Sequence, residues 1–422
     1  MRIPAQAVSL VLSLTTLACA GDDEPEPSGC HVPAPCDIEK TGCQAAVLSL
    51  TACVRGNHAP PAPDVRVIEL AALREELESM DAEGESSSAT DAALAALHLL
   101  AAGRSLKESL IDAQTDSVAA YYDDEAKRVT IVDRSRVTAD DTLAGMYELS
   151  HELTHYLQDR DPGIAATMER FGPSLDGIEA GRSLIEGEAV VTSTRVLAAL
   201  SDRDPTQLIW SNITRELTAS VLNDVRMSRA PLAVASVELP YLLGTPYIAK
   251  AWSLSNRERV DGLFDESPTS AVDWLAGYGN DGPLPSLQEP LDCGPPLAPD
   301  GFALVDLDSF GIVGAAALLA AARDRSELTL VRALVGDSIG IYSAGGGDNA
   351  EALAAWRMRF RTDTDAKSFA TAVSGLMLQS RRFDNELVFV ASSDEGSRPF
   401  NDAALEACPA LSDLRAQLER TE

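Results

Sequence analysis

The sequence predicts an α+β fold that is predominantly helical, and two observations carry that expectation. Apolar residues recur at helical spacing through long alanine- and leucine-rich stretches, in a chain of 422 residues with only 5% aromatics. Against these stands one pair of β-prone runs around a charged turn, "VAAYYDDEAKRVTIV", which reads as a hairpin over 118–132. A hydrophobic fraction of 45% is that of a globular chain and argues against wholesale disorder. The formal charge of −31 repels phosphate backbones, so no nucleic-acid partner is expected.

The first element, residues 1–18, is expected to be removed. One basic residue, Arg2, precedes an apolar run too short to span a bilayer, and the run ends in small residues directly before Cys19. This resembles a lipoprotein signal, cut ahead of a cysteine that becomes lipidated, although Thr16 stands where such signals prefer leucine. An ordinary secretory signal cut nearby is the alternative. The resemblance implies export to the bacterial cell envelope, with a lipid on Cys19 as membrane tether at the outer membrane or cell surface. No later run is long and apolar enough to cross a membrane. Cysteine usage agrees with export. Of seven cysteines, setting Cys19 aside leaves six, four of them in 30–53 and the others at Cys293 and Cys408. The simplest pairing is two bridges within 30–53 and one from Cys293 to Cys408. No pair has C-x-x-C spacing, which disfavours a cysteine zinc site.

"AGDDEPEPSG" (20–29) is acidic and without apolar periodicity, so it reads as a tether, followed by the stapled 30–53 segment and a linker, "NHAPPAPDV" (57–65). The expected organisation is therefore signal 1–18, tether and cysteine-rich segment 19–64, and main domain 65–422. Helical spacing marks 67–80 and 91–110, separated by a polar loop. His98, on the second of these, reads as a surface or core histidine rather than a ligand. After the hairpin comes a helix over about 141–159, with Asp140 or Asp141 as N-cap and Asp161-Pro162-Gly163 as its stop. Another long helix covers 175–200 despite internal glycines. The remainder reads as mostly helical, with Pro- and Gly-rich loops at 279–300 and 336–349.

The chemistry lies in "SHELTHYLQD" (150–159). His151 and His155 are four apart, so on a helix both can turn a ring nitrogen toward one ion. Glu152 lies beside them and can reach a water on that ion without ligating it. Two neutral imidazoles, an open position for water and a carboxylate to take its proton are what metal-assisted hydrolysis requires. A third ligand is needed. In metzincins it would be a histidine six residues after His155, where this chain has Asp161, with Gln158 in place of the turning glycine. The other source is "SLIEGEAV" (183–190), where Glu186 and Glu188 stand about 200° apart around a helix, so only one faces the metal. Asp176 is a more distant candidate.

H-E-x-x-H followed by E-G-x-A resembles the gluzincin class of zinc metallopeptidases. More closely, "HELTHYLQD", "LIEGEA" and "LPYLLGTPY" (239–247) are similar to motifs of a family of exported bacterial metallopeptidases, over about 118–373. The resemblance implies a zincin-like fold whose hairpin presents an edge strand to an extended peptide. It implies Zn²⁺ held by His151, His155 and Glu186, with Glu152 as general base. Asp159 would orient the His155 imidazole, unless it is only a solvated helix-end carboxylate. The oxyanion donor would be Tyr241 or Tyr247, with Arg257 and Arg259 behind them. The expected substrate is a peptide or protein. Two alternatives stay open: a non-catalytic lipoprotein with a structural metal site, and a zinc amidase acting on cell-wall peptide. Cleavage specificity and oligomeric state are not legible in the sequence.

Overall fold

The computed structural model describes residues 2–4, 30–80, 87–133, 141–276, 293–297, 301–323, 327–344, 351–394, 405, 407 and 409–418. Cys19, the 20–29 tether, Asp140 and Cys408 lie outside the described residues. The chain runs β1 (Arg2–Pro4), α1 (Thr41–Arg55), β2 (Asp64–Glu69), α2 (Leu70–Met80), α3 (Ser88–Ala96), α4 (Leu106–Ser117), β3 (Val118–Asp123), β4 (Arg128–Asp133), α5 (Asp141–Arg160), α6 (Ile164–Met168), α7 (Leu175–Leu200), α8 (Trp210–Met227) and α9 (Pro231–Glu266). It continues with α10 (Ala271–Ala276), β5 (Ala303–Asp308), α11 (Gly311–Ala321), α12 (Glu327–Val331), β6 (Leu334–Ala344), β7 (Glu351–Phe360), α13 (Asp363–Val373), β8 (Gln379–Phe383), β9 (Glu386–Ser392) and α14 (Leu411–Leu418). This is the α+β, helix-dominated class the sequence predicts.

The hairpin forms as expected, β3 against β4 with Ala120 opposite Ile131. It sits in a four-stranded sheet of order β1-β3-β4-β2, in which β2 runs parallel to β4 and Arg2–Pro4 pairs antiparallel along the outer edge of β3. Strand β2 takes the start of the stretch expected as a helix from 67, because Val65 to Ile68 are β-branched at three of four positions. Tyr122 and Val129 face α5, while Val118, Tyr121 and Val132 pack with Leu73 and Leu77 of α2 and Ile111 of α4.

Two bridges lie within 30–53, as expected, and the structure gives their pairing as Cys30–Cys53 and Cys36–Cys43, which staple α1. Cys293 is also disulfide-bonded. Helix α1 belongs to the core: Val47, Leu48 and Leu50 are buried with Leu149 and Leu153 of α5 and Ile185 of α7. Helix α7 lies between α5 and α9, and its buried residues point in every direction.

Two further expectations fail. The region beyond 300 is not mostly helical: β5, β6, β7, β9 and β8 form, in that order, an antiparallel sheet. Residues 336–344, expected as loop, lie in β6, and 351–360 form β7 rather than the start of a helix. The reason is burial on both faces. Ala352, Ala354 and Trp356 enter the main core while Leu353 and Ala355 enter a second cluster with Leu414, so the strand has no polar face and no alternation to read. The second failure concerns membrane-length segments. Pro231–Ser253 of α9 is long and apolar enough to cross a membrane, but 89% of that window is buried, as befits a core helix.

A buried carboxylate junction fastens this sheet to α7. Asp337 accepts from the Phe310 and Gly311 amides at 3.0 and 2.9 Å, capping α11, and from Trp356 Nε1 at 2.6 Å. Asp308 accepts from Leu175 N at 2.9 Å, and Asp176 from Ala271 N at 3.1 Å. Burial pushes the Asp176 and Asp308 carboxyls up to about 7, against the backbone donors that favour their charge. A folded pKa above the unfolded one means that the folded chain releases these protons later. Stability therefore falls as pH rises through the window between about 4 and 7. Glu186 and Glu188, whose pKa values are lowered, titrate below that window. The melting temperature is expected to fall between pH 5 and pH 8, and to fall less in Asp308→Asn; identical profiles would refute the assignment.

Candidate metal centre

Helix α5 places His151 and His155 on one face, one turn apart, and α7 brings Glu186 against them. The three side chains are buried, and one ligand atom from each lies within 4.8 Å of the others. His151 Nε2 and His155 Nε2 are 3.1 Å apart, and each is 3.3 Å from Glu186 Oε2. Atoms held at about 2.0–2.1 Å by a tetrahedral ion are separated by roughly 3.3 Å, and the triangle has that spacing. The remaining oxygen of Glu186, Oε1, is buried and without a hydrogen-bond partner. Burial lowers the His151 pKa to about 4, which keeps its imidazole neutral. Burial also opposes ionisation of Glu186, but the facing histidines outweigh it and hold that carboxyl well below the usual range. The group could hold a metal ion.

Glu152 is fully buried beside the triangle, and neither of its oxygens has a hydrogen-bond partner at ordinary distance. Burial pushes its carboxyl up to about 8, although the Tyr122 backbone amide on β3 faces it and favours the charge. A buried carboxylate left this way is costly unless something polar shares its space.

Glu188 points elsewhere. It receives Arg55 Nε at 2.8 Å, Arg257 Nη1 at 3.1 Å and Gln158 Nε2 at 2.9 Å. Burial opposes its charge, yet the two guanidinium groups hold its carboxyl down at about 2. Of the two glutamates, Glu186 alone faces the histidines.

Gln158, missed as a site residue by the sequence reading, orients His155. Its Nε2 meets two groups that only accept, Glu188 Oε2 and the Ile185 carbonyl, each at 2.9 Å. Its Oε1 is therefore turned to His155 Nδ1 at 2.8 Å. An acceptor there assigns a proton to Nδ1 from the network and leaves Nε2 as the ligating nitrogen. The i, i+3 spacing from His155 was the available signal. Asp159, expected in this role, instead accepts from Tyr122 Oη at 2.7 Å and Lys127 Nζ at 2.6 Å, tying α5 to the hairpin.

Tyr241 of α9 lies beside the triangle, its ring centroid 6.2 Å from that of His151 and its hydroxyl bonded to Glu186. Burial, then the Glu186 charge, drives its pKa far up, so it is a donor at all ordinary pH. Tyr247 does not join it; that ring packs on Trp274 at 4.6 Å. Arg257 serves Glu188, and Arg259 stands near Tyr247. Asp161 is exposed, Asp176 belongs to the junction described above, and His98 is exposed in the turn after α3, so none of the three is a ligand.

The crossing of α7 and α9 explains how Tyr241 arrives. Gly187 and Gly244 meet backbone to backbone: a methyl on Gly244 would collide with the Ser183 carbonyl oxygen and the Gly187 Cα, and one on Gly187 with the Gly244 backbone. These are the glycines of "LIEGEA" and "PYLLG". Pro240, inside α9, has no N–H for the Ser236 carbonyl one turn back, and Arg182 of α7 donates to that carbonyl instead. Arg182 is itself held by Glu179 at 3.1 Å. Neither residue was singled out from sequence.

Comparison with known proteins finds no matching family model, curated sequence or solved structure.

Gly244→Ala must push the two helices apart. It is expected to destabilise the fold by at least the about 1–3 kcal/mol typical of overpacking, measured by denaturant titration. A neutral Gly244→Ala would mean that the helices do not cross in contact.

Proposed function

We propose that this chain is an exported zinc metallopeptidase of the gluzincin kind, with a zincin-like arrangement of α5, α7 and the β3–β4 hairpin. The observation that carries the reading is the buried His151–His155–Glu186 triangle with the partnerless Glu152 carboxylate beside it. A structural metal site has no use for a base in that position. The disulfides support export to an oxidising compartment.

Zinc bound by His151, His155 and Glu186 would supply Lewis acidity to a water and to the scissile carbonyl. Glu152 accepts the proton of the attacking water and passes it to the leaving amine, a task suited to a carboxyl whose pKa burial has brought near neutrality. Tyr241 donates to the oxygen on which charge develops, with the Arg182 guanidinium behind it favouring that charge. Gln158 holds the His155 tautomer throughout. The outer edge of β3 accepts an extended segment, as its pairing with Arg2–Pro4 illustrates. Removal of residues 1–18 would leave that edge, beside Glu152, to an extended peptide.

Zinc should bind at about one ion per chain and be lost in the double variant His151→Ala/His155→Ala. Full occupancy in that variant, by elemental analysis of the purified exported protein, would end the zinc reading. Glu152→Gln should retain the metal and lose turnover by about 10²-fold or more on a peptide panel. Peptidoglycan fragments in the same panel test the amidase alternative, and zinc binding without turnover on any substrate would identify a structural site.

A further inference from the structure

The metal triangle connects to the cysteine-stapled segment through an unbroken chain of buried polar contacts. Cys53, bridged to Cys30, lies in the last turn of α1, two residues before Arg55. The Arg55 side chain is 1% exposed, and its guanidinium meets Glu188 with Nε at 2.8 Å and Nη2 at 3.2 Å. Glu188 holds the Gln158 amide, and Gln158 holds His155 Nδ1. The end of α1 is fixed from outside as well. The Arg55 carbonyl accepts from Arg257 at 2.9 Å, and Asn57 Oδ1 receives Arg55 Nη1 at 3.2 Å.

Each link depends on the one before it. Arg55 meets both oxygens of Glu188, so its guanidinium fork fixes the plane of that carboxylate and places Oε2 where it accepts from the Gln158 NH₂. Without Glu188 as an acceptor, Gln158 loses one of the two contacts that fix which way its amide faces. The His155 tautomer is then no longer imposed. Arg257 is a second cation on Glu188, but it is partly exposed and also engages Asp261, whereas Arg55 is enclosed and meets both oxygens.

We propose that Arg55 positions His155 through Glu188 and Gln158, and that the metal affinity of the site therefore depends on the Cys30–Cys53 bridge. Forming that bridge removes two electrons and two protons from the two thiols, taken up by a thiol–disulfide oxidant of the receiving compartment. A chain that still carries both thiols holds the metal weakly, and export completes the site. The inference rests on the metal reading above, because it concerns the affinity of the same triangle.

The test uses the full exported chain with ¹⁵N-labelled histidine and Zn²⁺ as probe. Four variants are compared with the wild type: Glu188→Gln, Arg55→Met, Cys30→Ser/Cys53→Ser and Cys36→Ser/Cys43→Ser. Two-bond ¹H–¹⁵N spectra of the metal-free proteins, recorded at a pH high enough for the His155 ring to be neutral, read its tautomer, and chelator competition reads zinc affinity. Wild type and Cys36→Ser/Cys43→Ser should show His155 protonated at Nδ1 and equal affinity. The other three should show a mixed tautomer and affinity lower by about 10–100-fold, the range for removing a ligand's orienting partner. Unchanged tautomer and affinity in folded Cys30→Ser/Cys53→Ser would overturn the dependence on the bridge, and the same result in Arg55→Met or Glu188→Gln would overturn the relay. If Cys30→Ser/Cys53→Ser does not fold, the Arg55→Met result decides. A wild type that binds no zinc would instead defeat the metal reading itself.

Discussion

Buried charge on α7 is the constraint around which the rest of the structure is arranged. The helix is enclosed by neighbours along most of its length and still carries Glu179, Arg182, Glu186 and Glu188 in under three turns. An ion in such a place is tolerated only with a partner and satisfied hydrogen bonds. Glu179 has Arg182, and Glu188 has Arg55, Arg257 and Gln158. Glu186 has two imidazoles and a phenol, none of them a permanent cation, and one of its oxygens has no partner. Of these three glutamates, Glu186 is the one without a guanidinium beside it. A divalent cation completes that pattern, and this is the strongest physical support for the metal reading.

Charge alone does not set distances, and the backbone does that. Gly187 and Gly244 let α7 and α9 touch, which brings Tyr241, about one turn before Gly244, level with Glu186, one residue before Gly187. The same approach puts Arg182 within reach of the carbonyl that Pro240 leaves unbonded. A helix-breaking residue and a buried cation each solve the other's problem. The crossing therefore couples packing to chemistry: widening it would separate Tyr241 from the triangle and leave Arg182 with Glu179 alone.

The parts that could be read from sequence share one property, namely that their signal is local. His151, Glu152 and His155 are fixed by spacing on one helix, and the hairpin by two short β-prone runs around a turn. Glu186 was favoured over Glu188 only through resemblance, and the network around Glu188 supplies the physical reason that spacing lacked. Partners far apart along the chain left no trace. Arg55 meets Glu188 across 133 positions, and Gly187 meets Gly244 across 57, so neither pairing has a period to detect. Gln158 was within range, three residues after His155, but Asp159 next to it carried the charge usually expected of an orienting group. The second sheet was lost for another reason. Alanine-rich β7 is buried on both faces, so composition favoured helix and no alternation argued back.

The choice of glutamine over aspartate behind His155 has an electrostatic consequence. When Glu152 is ionised to act as base, it and Glu186 together set two negative charges against a divalent cation in the proposed centre. A carboxylate bonded directly to His155 would add a third and make the imidazole a stronger donor, weakening the cation's pull on water. Gln158 keeps the geometric benefit of an orienting partner while placing the formal charge one side chain further away, on Glu188. There it is matched by Arg55 and Arg257 instead of by the metal. Holding His155 and leaving the centre near neutrality are then compatible, because the orienting group and the anion that fixes it are different residues.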